Sequence, residues 1–377
     1  MTKVALSSNT SWYLYNFRRN TIISLIESGY EVYAICPYDD FSSKLEALGA
    51  CFVNVDIEQS GTNPFKDLQT LFSFRKIFLK YDIDIVLNFT PKNNIYSTLA
   101  AKTCGAKVIN NIAGLGTLFI NENIVSKIAR LLYKISQRYA DKIFFQNEED
   151  RELFLMHRMA KSDITERLPG SGVDLSRFTV QPALNDGVTR FLLIARMLYD
   201  KGVQHYVDAA RILNKKYGNK VEFSLLGFLD VQNPSAVTKD QMCSWVNEGI
   251  INYLGVSDNV EAEIAKVDCV VLPSFYREGV PKSLLEAGAM GKPIVTTDNV
   301  GCKETVEHGF NGYLCEPRST ASLVSCLEII INMEYHERLE MGKKSRFKIA
   351  REFDERIVID KYLDSIQSIL SIRDFNI

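Results

Sequence analysis

Short runs rich in β-branched and aromatic residues alternate with longer helix-forming stretches through most of this 377-residue chain. The first series reads VALSS (4–8), EVYAIC (31–36), CFVNV (51–55), IVLNF (85–89), KVINNI (107–112) and KIFFQ (142–146). Helical patterns near 12–28, 41–48, 65–80, 94–103, 122–139 and into the 150s follow these runs. Strands separated by helices pair in parallel, giving a sheet with helices on both faces. Pro169, Gly170 and Gly172 interrupt the pattern in LPGSGVDLSRF (168–178). A second series then runs TRFLLIA (189–195), EFSLLG (222–227), NYLG (252–255), DCVVLP (268–273), PIVTT (293–297) and YLC (313–315). Helices are expected at 202–216, 238–248 and 281–290, with a helical tail over 319–371. The expectation is an α/β chain of two doubly wound Rossmann-like domains, 1–168 and 169–355, with a cleft between them. A last helix, 356–377, is expected to cross back and pack towards the first domain.

The length suits two cores better than one. A net charge of −2 argues against nucleic acid as the main partner. Eight cysteines without C-x-x-C spacing and four histidines without ligand spacing give no zinc or disulfide pattern. Met1-Thr2-Lys3 leads straight into a strand, so no signal peptide is expected. No apolar run reaches the ~18 residues of a membrane span, and the expected location is the cytoplasm.

Ligands of open α/β sheets bind beyond the carboxyl ends of strands. In FYREGVPKSLLEAGAMGKPIV (275–295), Pro281 suits the first position of a helix, Glu278 precedes it and Glu286 lies inside it. The helix N-terminus between the two carboxylates favours an anion. On that geometry Glu278 can accept sugar hydroxyls on one side of a diphosphate and Glu286 can accept ribose hydroxyls on the other. Each charge-assisted bond is worth roughly 1.5–3 kcal/mol. The bland alternative is two glutamates beside a helix start. In LLIARMLYDKGV (192–203), Arg196 and Lys201 offer cations for charge developing on a departing diphosphate, or simply flank a helix.

The segment SFYREGVP with its Glu278–Glu286 spacing resembles the signature of retaining family 4 glycosyltransferases. So do Arg196 to Gly202 and GCKETVEHGFNGYL (301–314). The resemblance implies the GT-B fold. It gives catalytic roles to Glu278, Arg196 and Lys201 and a ribose contact to Glu286. Gly279, Val280 and Pro281 are expected beside the donor. Gly227 and Val256, in GFLDVQNPS (227–235) and NYLGVSDNV (252–260), are expected near the base and diphosphate. FTPKNNIYSTLAAK (89–102) and NIAGLGTLFI (111–120) resemble the acceptor domain of O-antigen and N-glycan assembly enzymes. Those enzymes move galactose, N-acetylgalactosamine or a related sugar from a UDP donor to a polyprenyl-diphosphate-linked saccharide. Asn9, Lys92, Asn94, Gly114 and Gly116 are the acceptor-side candidates. Many relatives carry a histidine near the reacting centre, whereas this chain has none before His157, which turns attention to Lys92. No metal or other cofactor is expected. The alternatives are a UDP-sugar 2-epimerase-like enzyme and a non-catalytic sugar-nucleotide-binding subunit.

Asp82-Ile83-Asp84 spells D-x-D, but it precedes a strand and is read as structural. No G-x-G-x-x-G follows the first strand, which disfavours a nicotinamide enzyme. Residues 66–142 carry twelve basic against five acidic residues, an excess of seven. Lys127, Arg130, Lys134 and Arg138 recur at helical spacing, beside Ile128, Leu131, Leu132, Ile135 and Tyr139. The segment 64–81 is similar. Both read as basic amphipathic helices for the anionic inner face of the cytoplasmic membrane, or as core-packed helices with a solvated side.

Overall fold

The computed structural model describes residues 1–58, 63–115 and 124–374. The chain divides into two compact units, Met1–Ser171 with Arg356–Ile377, and Gly172–Glu355.

In the first unit β1 (Lys3–Ser7), α1 (Ser11–Glu27), β2 (Glu31–Cys36), α2 (Ser42–Ala47), β3 (Cys51–Asn54) and α3 (Pro64–Tyr81) follow one another. Then come β4 (Ile85–Asn88), a π-turn (Asn93–Ser97), α4 (Thr98–Cys104), β5 (Lys107–Ile112), α5 (Ile124–Ser136), β6 (Lys142–Phe145), α6 (Glu148–Met156) and β7 (Thr165–Arg167). The seven strands are parallel in the order β3-β2-β1-β4-β5-β6-β7. The second unit holds β8 (Thr189–Ile194), α7 (Val203–Tyr217), β9 (Val221–Leu226), α8 (Lys239–Asn247), β10 (Asn252–Tyr253), α9 (Val260–Ala265) and β11 (Cys269–Leu272). It continues with α10 (Lys282–Ala289), β12 (Ile294–Thr297), β13 (Gly312–Cys315), α11 (Thr320–Asn332) and α12 (Tyr335–Glu352). Its six parallel strands run β10-β9-β8-β11-β12-β13. The last helix, α13 (Glu355–Asp374), lies almost wholly in the first unit. Strand order reverses between β1 and β4 and between β8 and β11, which opens a loop crevice at the carboxyl edge of each sheet.

Strand alternation divides each unit's core into two layers. Ala5 and Val86 face a cluster with Phe74, Phe78 and Tyr133, while Val4, Leu6 and Leu87 face Leu14, Ile22, Val358, Tyr362 and Ile366. The three α13 residues recur every four positions, so one stripe of that helix enters the first core. Helix starts follow local chemistry. Thr10 caps α1 by accepting the Tyr13 N–H, and Asn63 caps α3 ahead of Pro64.

Several boundaries depart from the sequence pattern. The expected helix 94–103 opens with the π-turn, because its first side chains are drawn into a buried polar network. Strand 252–255 ends at Tyr253, where Gly255 takes a φ of +72°. Strand β7 and helix α9 are short and lack a clear period, and the sequence reading passes over both. The helical tail expected over 319–371 is made of three helices, the last of them starting at Glu355. Pro281 caps α10 from outside instead of occupying its first turn.

Candidate functional site

Two loops of the second unit are stapled together at the β8/β11 crevice. Gly202 has a φ of +77°, and a Cβ there would overlap the backbone carbonyl of Pro273. Only glycine permits this approach. It brings the Asp200 carbonyl to the amides of Phe275 and Tyr276, at 3.0 and 3.1 Å. Lys201 and Glu278 then form an ion pair, and Ser274 Oγ donates to the same Glu278 oxygen at 2.8 Å. Both ionic side chains are largely withdrawn from water, at 14% and 11% exposure, so their attraction is weakly screened. The Lys201 ammonium also lies 5.3 Å from the centre of the Tyr276 ring. Burial pushes the Tyr276 phenol up, Glu278 pushes the same way, and Arg196 opposes them.

A third loop supports this pair from beneath. At Gly301, φ +81°, a Cβ would overlap the Gly279 carbonyl. Asn299 Nδ2 donates to the Tyr276 carbonyl at 2.8 Å, and Thr297 Oγ1 donates to the carbonyl of Ser274. Gly279 and Val280 are buried between these loops and the start of α10. The Pro281 carbonyl accepts the Leu284 and Leu285 amides at 3.1 and 3.3 Å. One turn into α10, Glu286 keeps partial exposure at its surface. Its dry surroundings push its carboxyl up to about 7, against the pull of Lys282 and Arg177. Arg177 is itself forked onto Glu261 at 3.0 and 2.8 Å.

Arg196 is exposed beyond the end of β8 and makes no ion pair among the described residues. Its loop is tied to the next one by the Met197 N–H to Phe228 carbonyl bond, 2.9 Å. Gly227 crosses directly over the Ala195 carbonyl, donates to the Gly255 carbonyl at 2.8 Å and accepts from the Tyr253 hydroxyl at 2.8 Å. Val256 follows, exposed. The second unit thus gathers Lys201, Glu278, Gly279, Val280 and Pro281 closely, with Arg196, Gly227 and Val256 on linked loops and Glu286 along the helix.

The first-unit candidates are less alike. Asn9 sits half-buried in the turn after β1. Gly114 follows β5 with a φ of +118°, and Gly116 lies outside the described residues. Lys92 is not a solvated loop lysine: it is 19% exposed and pairs with Asp67 of α3 at 2.7 Å. Asp67 also accepts the Tyr96 hydroxyl at 2.8 Å. Asn94 is 1% exposed and belongs to the core, not to an open surface. Its Nδ2 donates to the Asn111 carbonyl at 2.8 Å, within a ladder joining Ser7, Asn88, Asn110 and Gln137. Tyr362 of α13 closes this ladder by donating to Asn111 Oδ1 at 2.5 Å. Asp84 of the D-x-D accepts the Lys3 N–H at 3.0 Å, at the opposite end of the strands. Among the described residues no three His, Cys, Asp or Glu side chains gather to hold a metal ion.

Sequence reasoning missed Ser274, Thr297, Asn299 and the contact of Gly301 with Gly279. The signal for Gly301 was present, since a glycine just past a strand end commonly marks a close backbone approach.

Fold and site together define a protein of two parallel sheets, with cationic and acidic side chains gathered at the strand-order reversal of the second. Residues 3–147 match the model for glycosyl transferase 4-like domains, and residues 188–332 match the model for glycosyl transferases group 1. The chain belongs to these glycosyltransferases, which have the GT-B fold. Over 96% of its length it is 29% identical to N,N'-diacetylbacillosaminyl-diphospho-undecaprenol alpha-1,3-N-acetylgalactosaminyltransferase of Campylobacter jejuni, covering 97% of that protein. It is 25% identical to UDP-Gal:alpha-D-GlcNAc-diphosphoundecaprenol alpha-1,3-galactosyltransferase of Escherichia coli, over 79% of each chain. Anabaena HepE, solved in complex with UDP-glucose, superposes with a TM-score of 0.80 at 16% identity, over 98% of this chain and 100% of that one.

Proposed function

We propose that the protein is a retaining glycosyltransferase moving galactose or N-acetylgalactosamine from a UDP-sugar to a polyprenyl-diphosphate-linked saccharide. The setting is surface-glycan assembly, with the enzyme peripheral on the inner face of the cytoplasmic membrane and independent of metal. The names of the Campylobacter and Escherichia relatives support the acceptor class, and the Escherichia name supports the donor class.

The observation that carries the reading is the Lys201–Glu278 pair beside the start of α10, with Glu286 one turn further on. A lysine ammonium has three N–H donors, and Glu278 takes one. In the proposed mechanism the others, with the Arg196 fork, meet diphosphate oxygens as charge develops on the departing UDP. Glu278 accepts a donor-sugar hydroxyl and fixes the ring. Glu286, as a carboxylate, accepts the ribose hydroxyls. The acceptor hydroxyl attacks from the face the UDP leaves, and a leaving phosphate oxygen takes its proton.

Lys201→Ala and Glu286→Ala are each expected to lower UDP release in the presence of acceptor by at least about a hundredfold while the far-UV spectrum and melting cooperativity stay native. Transfer at the wild-type rate in either variant contradicts the assignment. Thermal shift with UDP, GDP and ADP tests the base, with the largest rise expected for UDP.

A further inference from the structure

Among the described residues, four that are not glycine take a positive φ: Asp82, Arg158, Asp230 and Arg318. Asp82 and Arg158 close helices α3 and α6, where a left-handed residue is usual, and aspartate tolerates that conformation at 230. Arg318, with a φ of +61°, has neither reason. It lies in the link between β13 and α11, just before Ser319 caps α11. The residue is exposed and forms no ion pair among the described residues. A long side chain kept in this strained region points to a contact elsewhere that holds it there.

That contact is Phe275. The Arg318 guanidinium lies 4.7 Å from the centre of the Phe275 ring, in cation–π range. The His205 ring packs edge to face with the same phenyl ring, 6.1 Å between centroids. His205 Nδ1 is in turn hydrogen-bonded to Thr320 Oγ1 at 2.9 Å. The start of α11 therefore reaches Phe275 twice, directly from Arg318 and through His205 from Thr320. Phe275 sits among the residues that build the donor-side pair. Its amide and that of Tyr276 hold the Asp200 carbonyl, next to Lys201 in the chain. Ser274 before it donates to Glu278, and the Tyr276 ring after it lies beside the Lys201 ammonium. A shift of Phe275 disturbs all of these contacts.

We propose that Arg318 is a positioning residue: by clamping Phe275 it holds the 274–276 loop so that Lys201 and Glu278 keep their paired geometry. The clamp stands on the contacts just described, whereas its effect on transfer rests on the role proposed above for Lys201 at the departing diphosphate. Charge on that leaving group develops only towards the transition state, so a loosened Lys201 costs rate more than donor affinity.

Three variants of the full chain separate the clamp from stability. Arg318→Lys keeps the cation and the strained φ, Arg318→Ala keeps only the strain, and Arg318→Gly keeps neither. Amide hydrogen exchange at Phe275 and Tyr276 should quicken about two- to fivefold in Arg318→Ala and Arg318→Gly and stay near the wild-type rate in Arg318→Lys. In the first two variants kcat for transfer should fall at least about threefold, with the KM for the UDP-sugar within about twofold of wild type. Arg318→Gly should nevertheless melt above Arg318→Ala, because it releases the strained φ. Unchanged exchange in Arg318→Ala and Arg318→Gly would overturn the clamp. Faster exchange with an unchanged kcat, or a kcat that follows melting temperature across the three variants, would overturn the positioning role. Absence of transfer by the wild-type protein counts against the proposed function and, with it, the effect on rate; the exchange comparison then still decides the clamp.

Discussion

Gly202 and Pro273 are in backbone contact so close that no side chain fits at position 202. That contact sets Lys201 against Glu278. Gly202→Ala adds both a clash and an unfavourable φ, a cost of about 1–3 kcal/mol. The expected result is a lower melting temperature and at least about tenfold weaker UDP-sugar binding by calorimetry. Alanine at Gly105, which shares the left-handed conformation at φ +77° and has open space around it, controls for the backbone term alone.

Removing one partner of the Lys201–Glu278 pair leaves a carboxylate in a site with little water. Lys201→Ala is expected to lower the transfer rate by about 10²–10³, as for other donors aimed at developing charge. Glu278→Gln keeps the Ser274 contact and the shape, so it should retain UDP binding while losing rate. Comparing kcat with the UDP dissociation constant in the two variants separates the roles.

The raised carboxyl of Glu286 gives donor binding a pH dependence. If the ionised form takes the ribose, affinity for a UDP-sugar rises with pH through about 7 and levels off above it. The sign for folding is opposite. A carboxyl whose folded value lies above its unfolded one contributes stability below pH 4.5 and loses that contribution as pH approaches about 7. Glu286→Gln should flatten both profiles. Calorimetry from pH 5.5 to 8.5 checks the first and thermal denaturation the second.

Much of this was legible in the chain. Period and punctuation gave the two parallel-sheet runs, because strands buried on both faces read as apolar blocks. The donor-side residues follow directly after strands, where topology concentrates ligand contacts. The acceptor side was harder. Lys92 and Asn94 look alike in sequence, yet one pairs with Asp67 and the other is sealed into an amide ladder. Both partners lie many residues away, and no local pattern encodes them. The two faces of α5 were legible in the spacing, but amphipathic spacing alone does not say which of them the core receives.

Lys292 is a test away from the site. Burial pulls its ammonium down to about 8, with Asp268 opposing, and its Nζ donates to the Ala265 carbonyl at 3.1 Å. A lysine whose folded value lies below its unfolded one destabilises the fold below about pH 8, and the penalty fades towards pH 10.5. Relative to Lys292→Met, the wild-type melting temperature should therefore gain between pH 8 and 10.

The central claim is sugar transfer from UDP to a lipid-linked saccharide. Its most direct test incubates the protein with UDP-N-acetylgalactosamine or UDP-galactose and a polyprenyl-diphosphate-linked saccharide, and follows UDP release and the anomeric proton of the product. The account predicts acceptor-dependent UDP release and an α-linked product, both lost in Lys201→Ala. An epimerised UDP-sugar without transfer, or no turnover with either donor across a panel of such acceptors, would contradict it.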